Sequence, residues 1–591
     1  MGNRNQLERY YGAIVIVFAA LIYLGCIVSP PSLMDDVDAV QAQIARNMLD
    51  SGDWVTARLD GVAYLEKSPL KYWMIAVSYM IFGPTDWAAR MPLALGVIVL
   101  CWLVFLMGRW AFDALAGFYA GMILATCIGL WLFTRIQIPD AILTATIALA
   151  MWSLLRAIDP DEPRPRLWAA SLAASIAVGL LLKGLIAAVF PVAAGLLYLG
   201  FTKQLFSLET WKRIRPFSGI AIILIIAAPW HVLATLANPP YFDFTMKSEP
   251  GHYHGFFWFY FFNEHVFRFL NMRHPRDYNT VPRVLFWAFH LLWMFPWSVF
   301  FPKLVKLTYK PLDRAGRMRL LCLCWTGFLL TFFTFSTTQE YYSMPCYPAL
   351  ALLLGSALAT EDSLSRIGSR VLAVVSALAA AAVAAIFIAV RNLPTPGDIS
   401  NALTQNPDAY TLSLGHMGDL TLESFAYLRV PLLLAGVAFL IGAWGAWSLR
   451  RVSRALALGA MMTLFFHAAR LALIAFDPYL ASRPLAEALM QQPAGQLIVD
   501  DQYYTFSSIF FYTNRTALLL NGRVNNLEYG AYAPGAVQVF IGDEDFAARW
   551  RSTQRYYLVI EKPKLARIEK LIGVAAIHVI KESGGKLLVS N

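Results

Sequence analysis

Long apolar runs, each close to twenty residues and separated by short polar gaps, set the pattern of this chain. A hydrocarbon core of about 30 Å needs about twenty apolar residues per crossing helix. Windows of that size predict spans near 12–30, 90–108, 114–133, 140–155, 168–184, 185–201, 217–236, 284–301, 320–336, 344–359, 371–390, 428–448 and 455–476. The chain therefore reads as an α-helical polytopic membrane protein with about thirteen transmembrane helices. At Lys183-Gly184 one long apolar run must fold back on itself. After Phe476 the pattern changes, and short apolar strands (496–499, 517–520, 556–560) alternate with helical stretches (544–551, 565–572). This predicts a membrane domain, 1–480, followed by a small α/β domain, 481–591.

Composition agrees with the pattern. Of the 591 residues 58% are hydrophobic and 15% charged, and mean hydropathy is +0.53. A soluble domain carries about 45–50% apolar and about 25% charged residues, so a soluble enzyme or a disordered scaffold is excluded. The net charge of +10 falls in particular loops. Lys303, Lys306, Lys310, Arg314, Arg317 and Arg319 share one gap, Lys203, Lys212, Arg213 and Arg215 another, and Arg450, Arg451 and Arg454 a third. With the N-terminus inside, all of them fall on the cytoplasmic side, as the positive-inside rule requires. The long segments 31–89, 237–283 and 391–427 and the α/β domain are then periplasmic. The surplus charge is a topology signal, and no long basic stripe points to a nucleic-acid partner.

The six cysteines (Cys26, Cys101, Cys127, Cys322, Cys324, Cys346) lie in apolar stretches without a C-x-x-C pair, which speaks against a zinc ribbon or a disulfide framework. His252-Tyr253-His254 offers an H-x-H pair, but no H-E-x-x-H follows it.

Candidate chemistry gathers on the outer side. Met34-Asp35-Asp36-Val37-Asp38 stands where the first span ends, and Val37, Val40, Ile44 and Met48 then recur at helical spacing. That predicts an amphipathic helix on the outer surface. An Asp there can simply cap the helix, although three carboxylates in four residues exceed what one cap requires. Further on, Tyr64-Leu65-Glu66-Lys67-Ser68-Pro69 puts a lysine in a loop beside a carboxylate and a phenol. Lys71, Tyr72 and Trp73 read as a snorkelling anchor and an aromatic belt. Arg135 and Asp140 flank the turn before the fourth span, and Lys183 interrupts the apolar run. Glu264-His265 and Arg268 lie on an aromatic stretch, 256–269, that suits the membrane interface, and Tyr341-Tyr342 precede Met344-Pro345. Singly these are belt or anchor residues; one topology places them all on one face. Ionisable groups near the membrane plane are costly and usually functional. Lysine and arginine at that depth suit a lipid-linked phosphate, and carboxylates nearby suit deprotonation of a hydroxyl or contacts to a sugar.

In these residues the chain resembles the bacterial aminoarabinose transferase and protein O-mannosyltransferase superfamily of GT-C membrane glycosyltransferases. The resemblance is strongest over 34–95, in Asp-Asp-Val-Asp, Ser-Gly-Asp-Trp, Tyr-Leu-Glu-Lys-Ser-Pro and Trp87-Ala88-Ala89-Arg90. It implies an undecaprenyl-phosphate sugar donor used on the periplasmic side of the inner membrane, with inversion at the anomeric carbon. The acceptor would be lipid A, another envelope lipid or glycan, or a protein. It also implies a catalytic Asp36, with Asp35 and Asp38 as neighbouring candidates and Asp140 as a second acidic position. Donor phosphate would be held by Lys67 with Tyr64, Lys183, Arg268, Tyr342 and Arg135. Glu66 and His265 match positions where a divalent metal, zinc or magnesium, would sit. Two departures stand out: an extra residue in the acidic run, and Gln41 where the family commonly has Tyr.

The rival reading is a transporter or lipid flippase. Those usually show paired repeats with polar groups near the bilayer midplane, whereas here no repeat is apparent and the charges gather at span mouths.

Overall fold

The computed structural model describes residues 8–275, 281–336, 339–404 and 415–591. The first seven residues, and parts of the segments 237–283 and 391–427, lie outside the described residues. Each of the apolar windows coincides with helical structure. Among the described residues eight helices are long and apolar enough to cross a membrane alone, from Asp86–Ala111 to Arg451–Ala475, and a bent pair would make a ninth. Tyr11–Tyr23, Ala114–Thr126 and Ile186–Phe201 are shorter apolar helices, and Tyr347–Leu358 follows a 3-10 turn over Glu340–Cys346. Lys183-Gly184 is the fold-back the apolar pattern requires: one helix ends at Lys183 and the next starts at Ile186.

The window 284–301 is not one straight helix. Arg283–Trp293 and Trp297–Lys306 meet at 101°, with Pro296, which has no N–H to donate, at the break.

The loops that carry the positive charge meet at one end of the bundle. There Arg314 Nε lies 3.0 Å from Asp159 Oδ2, Arg213 Nη1 donates to the Asp159 carbonyl at 2.7 Å, Lys303 Nζ lies 2.9 Å from Asp362 Oδ1, and Arg454 Nη2 lies 2.8 Å from Glu361 Oε1. Asp35, Lys67, Asp140 and Lys183 belong to loops and helix ends at the other end, with the C-terminal sheet.

Here a small hairpin, β1 (Arg58–Leu59) and β2 (Val62–Ala63), precedes the loop of Tyr64, Glu66 and Lys67. The C-terminal sheet comprises β3 (Gln496–Asp500), β4 (Ala517–Leu520), β5 (Phe540–Ile541), β6 (Tyr556–Glu561), β7 (His578–Ser583) and β8 (Lys586–Ser590), in the order β5-β4-β3-β6-β8-β7. β5, β4, β3 and β6 run parallel, and β8 and β7 close the edge antiparallel. Alternate residues face opposite sides of a strand. One face, with Ile498, Leu558 and Val589, packs under the helices Asp543–Trp550 and Leu565–Ile572. The other, with Leu497, Val499, Val559 and Leu588, shares a core with Val40 and Ile44 of the helix Val37–Ser51 and with Ile75 and Tyr79 of the helix Leu70–Phe82.

That shared core corrects two expectations. The helix Val37–Ser51 forms as its spacing predicts, but it does not lie on an outer surface. It is enclosed by the C-terminal domain, with Asp38, Ala39, Val40, Gln41, Ala42 and Ile44 all buried. Likewise Lys71 and Tyr72 are buried in the interior of this layer, so they are neither snorkelling anchor nor belt. An apolar helix face has the same sequence whether lipid or another domain covers it.

Candidate active site

Three groups of polar side chains converge where the bundle meets the C-terminal domain. The first is the acidic run. Asp35 is fully committed: Oδ1 accepts from the Ser508 amide at 2.8 Å, while Oδ2 accepts from Ser482 Oγ at 2.7 Å and from Lys586 Nζ at 2.6 Å. Asp38 is 1% exposed and pairs with Arg90 Nη2 at 2.9 Å. The other Arg90 donors hold the carbonyls of Pro31 and Ser32, fixing the exit of the first span.

Asp36 differs from both. It stands at the N-cap position of its helix, yet its side chain makes no capping bond, so capping does not account for it. Its backbone sits at φ 71°, a region non-glycine residues seldom occupy and one that often marks functional sites. The C-terminal domain holds it there: the Asp36 amide donates to the Tyr504 carbonyl at 2.8 Å, and Ser507 Oγ donates to the Asp36 carbonyl at 2.9 Å. The residue is exposed to solvent although protein surrounds it on most sides. That surrounding burial, together with the neighbouring Asp35 charge, pushes its carboxyl up to about 6. Only the Val37 amide opposes the shift.

The second group is built on the loop after β2. Glu66 accepts from Tyr64 Oη in a short hydrogen bond, lies 3.2 Å from Lys67 Nζ, and accepts from Arg273 Nη2 at 3.2 Å. Burial works to raise the Glu66 carboxyl, but Lys67, Arg273 and Arg268 prevail and hold it at about 2. Arg273 Nε also lies 2.7 Å from Glu264 Oε1, and Arg268 Nη1 lies 2.9 Å from Glu264 Oε2. Tyr64 Oη is 2.9 Å from Tyr504 Oη, which accepts from Asn526 Nδ2 at 2.9 Å. Lys67 itself remains about a third exposed. It lines a narrow cleft whose other walls include Tyr64, Tyr72, Val55, Trp230 and Phe256.

The third group centres on Lys183, which forms an ion pair with Asp140 and lies 5.2 and 5.0 Å from the ring centres of Tyr341 and Tyr342. The third group adjoins the second. Two bonds bring them together. Ser68 Oγ donates to the Leu180 carbonyl at 3.0 Å, and the Leu185 amide donates to His265 Nε2 at 3.1 Å. Gly184 is required at this crossing. Its φ is +84°, and a Cβ there would run into His265 Nε2 and Tyr260 Oη.

Not every residue marked in the sequence joins this arrangement in the expected way. Arg135 commits its guanidinium to the carbonyls of Cys26 (3.0 Å) and Trp131 (3.4 Å) and to the Trp131 ring, 4.9 Å away, where it braces the first span. Glu66 and His265, the pair marked for a divalent metal, are each engaged by other groups of the protein. His265 Nδ1–H donates to the Tyr260 carbonyl at 2.5 Å, which leaves Nε2 as the acceptor for Leu185, and burial lowers the ring to about 4, keeping it neutral. Glu66 faces cations and a phenol. Among the described residues no group of three His, Cys, Asp or Glu is placed to hold a metal ion. His254 Nδ1 pairs with Asp243 Oδ2 at 2.6 Å beside Trp258.

Arg273, Tyr504, Asn526 and Lys586 carry no mark in the sequence as site residues. Arg273 is a single arginine in a long polar segment, and the others lie in a domain whose chemistry-bearing partners are hundreds of residues away. The acidic Glu264, by contrast, is marked by its place among aromatics.

The fold is that of a polytopic membrane protein with a small C-terminal α/β domain, and the polar cluster lies at the junction of the two. Comparison with known proteins agrees. Residues 66–232 match the family described as dolichyl-phosphate-mannose-protein mannosyltransferase. The chain is 28% identical over 366 residues to undecaprenyl phosphate-alpha-4-amino-4-deoxy-L-arabinose arabinosyl transferase 2 of Pseudomonas fluorescens, covering 60% of this chain and 57% of that protein. It is 28% identical over 362 residues to arabinosyl transferase 1 of the same description from Proteus mirabilis, covering 60% of each. The aligned regions thus span somewhat over half the length of these relatives. The crystal structure of ArnT from Cupriavidus metallidurans bound to undecaprenyl phosphate superimposes with a TM-score of 0.79 at 20% identity, over 98% of this chain and 97% of that one. The fold is shared from end to end.

Proposed function

We propose that this protein is an inner-membrane glycosyltransferase. It would move a sugar from a polyprenyl (undecaprenyl) phosphate donor to lipid A or another envelope acceptor on the periplasmic face, with inversion at the anomeric carbon. The observation that carries the reading is the gathering of three cations, Lys67, Lys183 and Arg268, with a carboxylate, Asp36, that makes no ion pair among the described residues and stands in a strained backbone held by the C-terminal domain. Such a site suits a reaction in which an oxygen nucleophile attacks C1 of the sugar and the C1–O bond to the lipid phosphate breaks.

The chemistry divides among the groups as follows. Asp36 accepts the proton of an attacking hydroxyl, or orients the acceptor where that is already an anionic phosphate. The departing polyprenyl phosphate gains a negative charge as the bond breaks, and Lys67, Lys183 and Arg268 stabilise it; fixed charges aimed at a developing anion are commonly a large catalytic contribution. Asp140 keeps Lys183 charged and in place. Arg273, shared between Glu66 and Glu264, stiffens the loop of Lys67. The positive-inside pattern, together with the joining of the acidic run, the cation cluster and the C-terminal domain at the other end of the bundle, supports a periplasmic site.

The test is turnover by the purified chain in proteoliposomes with an undecaprenyl-phosphate-linked sugar and lipid A. Release of free undecaprenyl phosphate, dependent on the acceptor and matched by a mass increase of lipid A, is the expected result. Movement of the donor across the bilayer without cleavage of its sugar bond would instead make the protein a flippase.

A further inference from the structure

Tyr504 touches two of the three polar groups at once. Its backbone carbonyl accepts from the Asp36 amide at 2.8 Å, and its hydroxyl lies 2.9 Å from that of Tyr64. Both tyrosines are buried, so each hydroxyl depends on protein partners.

The direction of the protons follows from counting donors. A phenol has one. Tyr64 gives its proton to Glu66 Oε1, so Tyr504 donates to Tyr64, and the Tyr504 oxygen accepts from Asn526 Nδ2 at 2.9 Å. Asn526 Oδ1 in turn accepts from Arg273 Nη2 at 3.4 Å, and the same Nη2 donates to Glu66 Oε2 at 3.2 Å. Five side chains thus close a ring. Two lines of donors run from Arg273 to the two oxygens of Glu66, one direct and one through Asn526, Tyr504 and Tyr64. Hydrogen bonds in such a chain polarise one another, and a fully satisfied buried network is rigid. Lys67 Nζ sits 3.2 Å from Oε1, the oxygen that Tyr64 also meets. What the ring fixes is therefore the carboxylate that holds Lys67.

Two of the five side chains come from the C-terminal domain. Tyr504 follows β3, which ends at Asp500, and Asn526 follows β4, which ends at Leu520. In parallel sheets the loops at these carboxyl ends are the ones that serve a ligand site. Here they reach the polar cluster of the membrane domain.

We propose that Tyr504, supported by Asn526, is a positioning residue through which the C-terminal domain sets where Lys67 stands relative to Asp36, its hydroxyl serving one and its carbonyl the other. This rests on the glycosyltransferase reading and deepens it. The base and the cation that receives the leaving phosphate have to keep one spacing, and a misplacement of about 1 Å costs about a hundredfold in rate.

The experiment uses proteoliposomes of the full chain with lipid A and undecaprenyl phosphate linked, in parallel, to a 4-amino pentose, a neutral hexose and a hexuronic acid. The donor that wild type turns over fastest serves for the variants. Tyr504→Phe keeps the backbone carbonyl and loses only the hydroxyl. It should lower kcat about tenfold to a hundredfold, with a much smaller change in KM and a Tm well above the assay temperature. The acid limb that Asp36 contributes near pH 6 should stay in place, because the carbonyl still holds the Asp36 amide. Asn526→Ala, at the half-buried end of the ring, should act in the same way but less. In a Tyr64→Phe background, Tyr504→Phe should cost no more than about a further twofold, since both act through one chain. Wild-type kcat in Tyr504→Phe overturns this inference alone, as does a displaced acid limb or a fully additive loss in the double variant. Should Tyr504→Phe not fold, the same cycle with Asn526→Ala and Tyr64→Phe decides in the same terms. Failure of wild type to release undecaprenyl phosphate from any of the three donors overturns the glycosyltransferase reading with it.

Discussion

The Nζ of Lys586, in β8, lies 2.6 Å from Oδ2 of Asp35, although 551 residues separate them. Both side chains are about nine-tenths buried. The pair therefore ties β8 of the C-terminal sheet to the residue next to Asp36, and the bonds from Ser482, Ser508 and Ser507 reinforce the tie. The unusual backbone at Asp36 is stable because this domain holds it from both sides.

Lys586→Met should accordingly destabilise the protein. It leaves the Asp35 carboxylate buried with two hydroxyl or amide donors and no counter-ion, which costs about 3–5 kcal/mol in comparable buried pairs. Thermal unfolding in detergent should show a lowered Tm, and turnover should fall with it. The double variant Asp35→Asn/Lys586→Met should regain much of the Tm, because the buried charge is then gone. A single variant as stable as wild type would mean the tie contributes nothing to stability.

Asp36→Asn should abolish turnover without lowering Tm at neutral pH. The fold raises the Asp36 carboxyl above its ordinary value, to about 6. The folded state thus binds this proton more tightly than the unfolded chain does, and ionisation of Asp36 erodes stability as pH rises from about 4 through 6. Asparagine removes that penalty along with the base. In wild type, kcat/KM should drop as pH falls through about 6, because only the ionised form accepts a proton. A flat profile from pH 5 to 8 would exclude Asp36 as the base.

How much of this is legible in the sequence depends on how local each signal is. Apolar windows find the membrane helices, because the length of a crossing is written in one continuous stretch. The strands β3, β4 and β6 are legible for the same reason, whereas β7 and β8 are not: β7 is mostly exposed and polar in composition. The helix Val37–Ser51 has the right period, but its covering partner cannot be read, since the sheet that buries it lies more than four hundred residues away. Lys71 shows the same limit. Its long stem before Tyr72-Trp73 looks like an interfacial anchor, and only packing shows it turned inward to Gln41. Asp140 and Lys183 stand out in the sequence because each breaks an apolar pattern at a span mouth, and the structure pairs them; Lys67 stands out in its loop by its neighbours Tyr64 and Glu66.

Lys67→Met should reduce kcat by about a hundred- to a thousandfold, the usual effect of deleting one group that stabilises a developing anion. Structure should survive, since Glu66 keeps Arg273 and Tyr64 as partners. Single-turnover release of undecaprenyl phosphate separates this from weak donor binding, and Lys67→Arg should restore part of the rate. Glu66, held at about 2, adds no titration between pH 5 and 9, so any acid limb in that range belongs to another group. Unchanged single-turnover release in Lys67→Met would remove this lysine from the leaving-group site.

Asp60 provides a test of the docking between the β1–β2 hairpin and the C-terminal sheet. It lies in the hairpin turn at φ 50°, is 6% exposed, and accepts from the Ala517 amide at 3.1 Å through Oδ1, while Oδ2 has no partner among the described residues. Burial pushes its carboxyl up to about 7 against the opposing Ala517 hydrogen bond. Because the folded value lies above the unfolded one, wild type loses stability as pH rises from about 4 to 7, and the loss is complete above that. Asparagine is uncharged, tolerates the left-handed backbone and can still accept from Ala517. Asp60→Asn should therefore match wild type near pH 4, gain on it through pH 7, and then hold a constant advantage. That advantage is at most a few kcal/mol, since each tenfold change in proton affinity is worth about 1.4 kcal/mol. Parallel Tm curves across that range would show that Asp60 titrates normally and that the hairpin docks on the sheet without burying a charge.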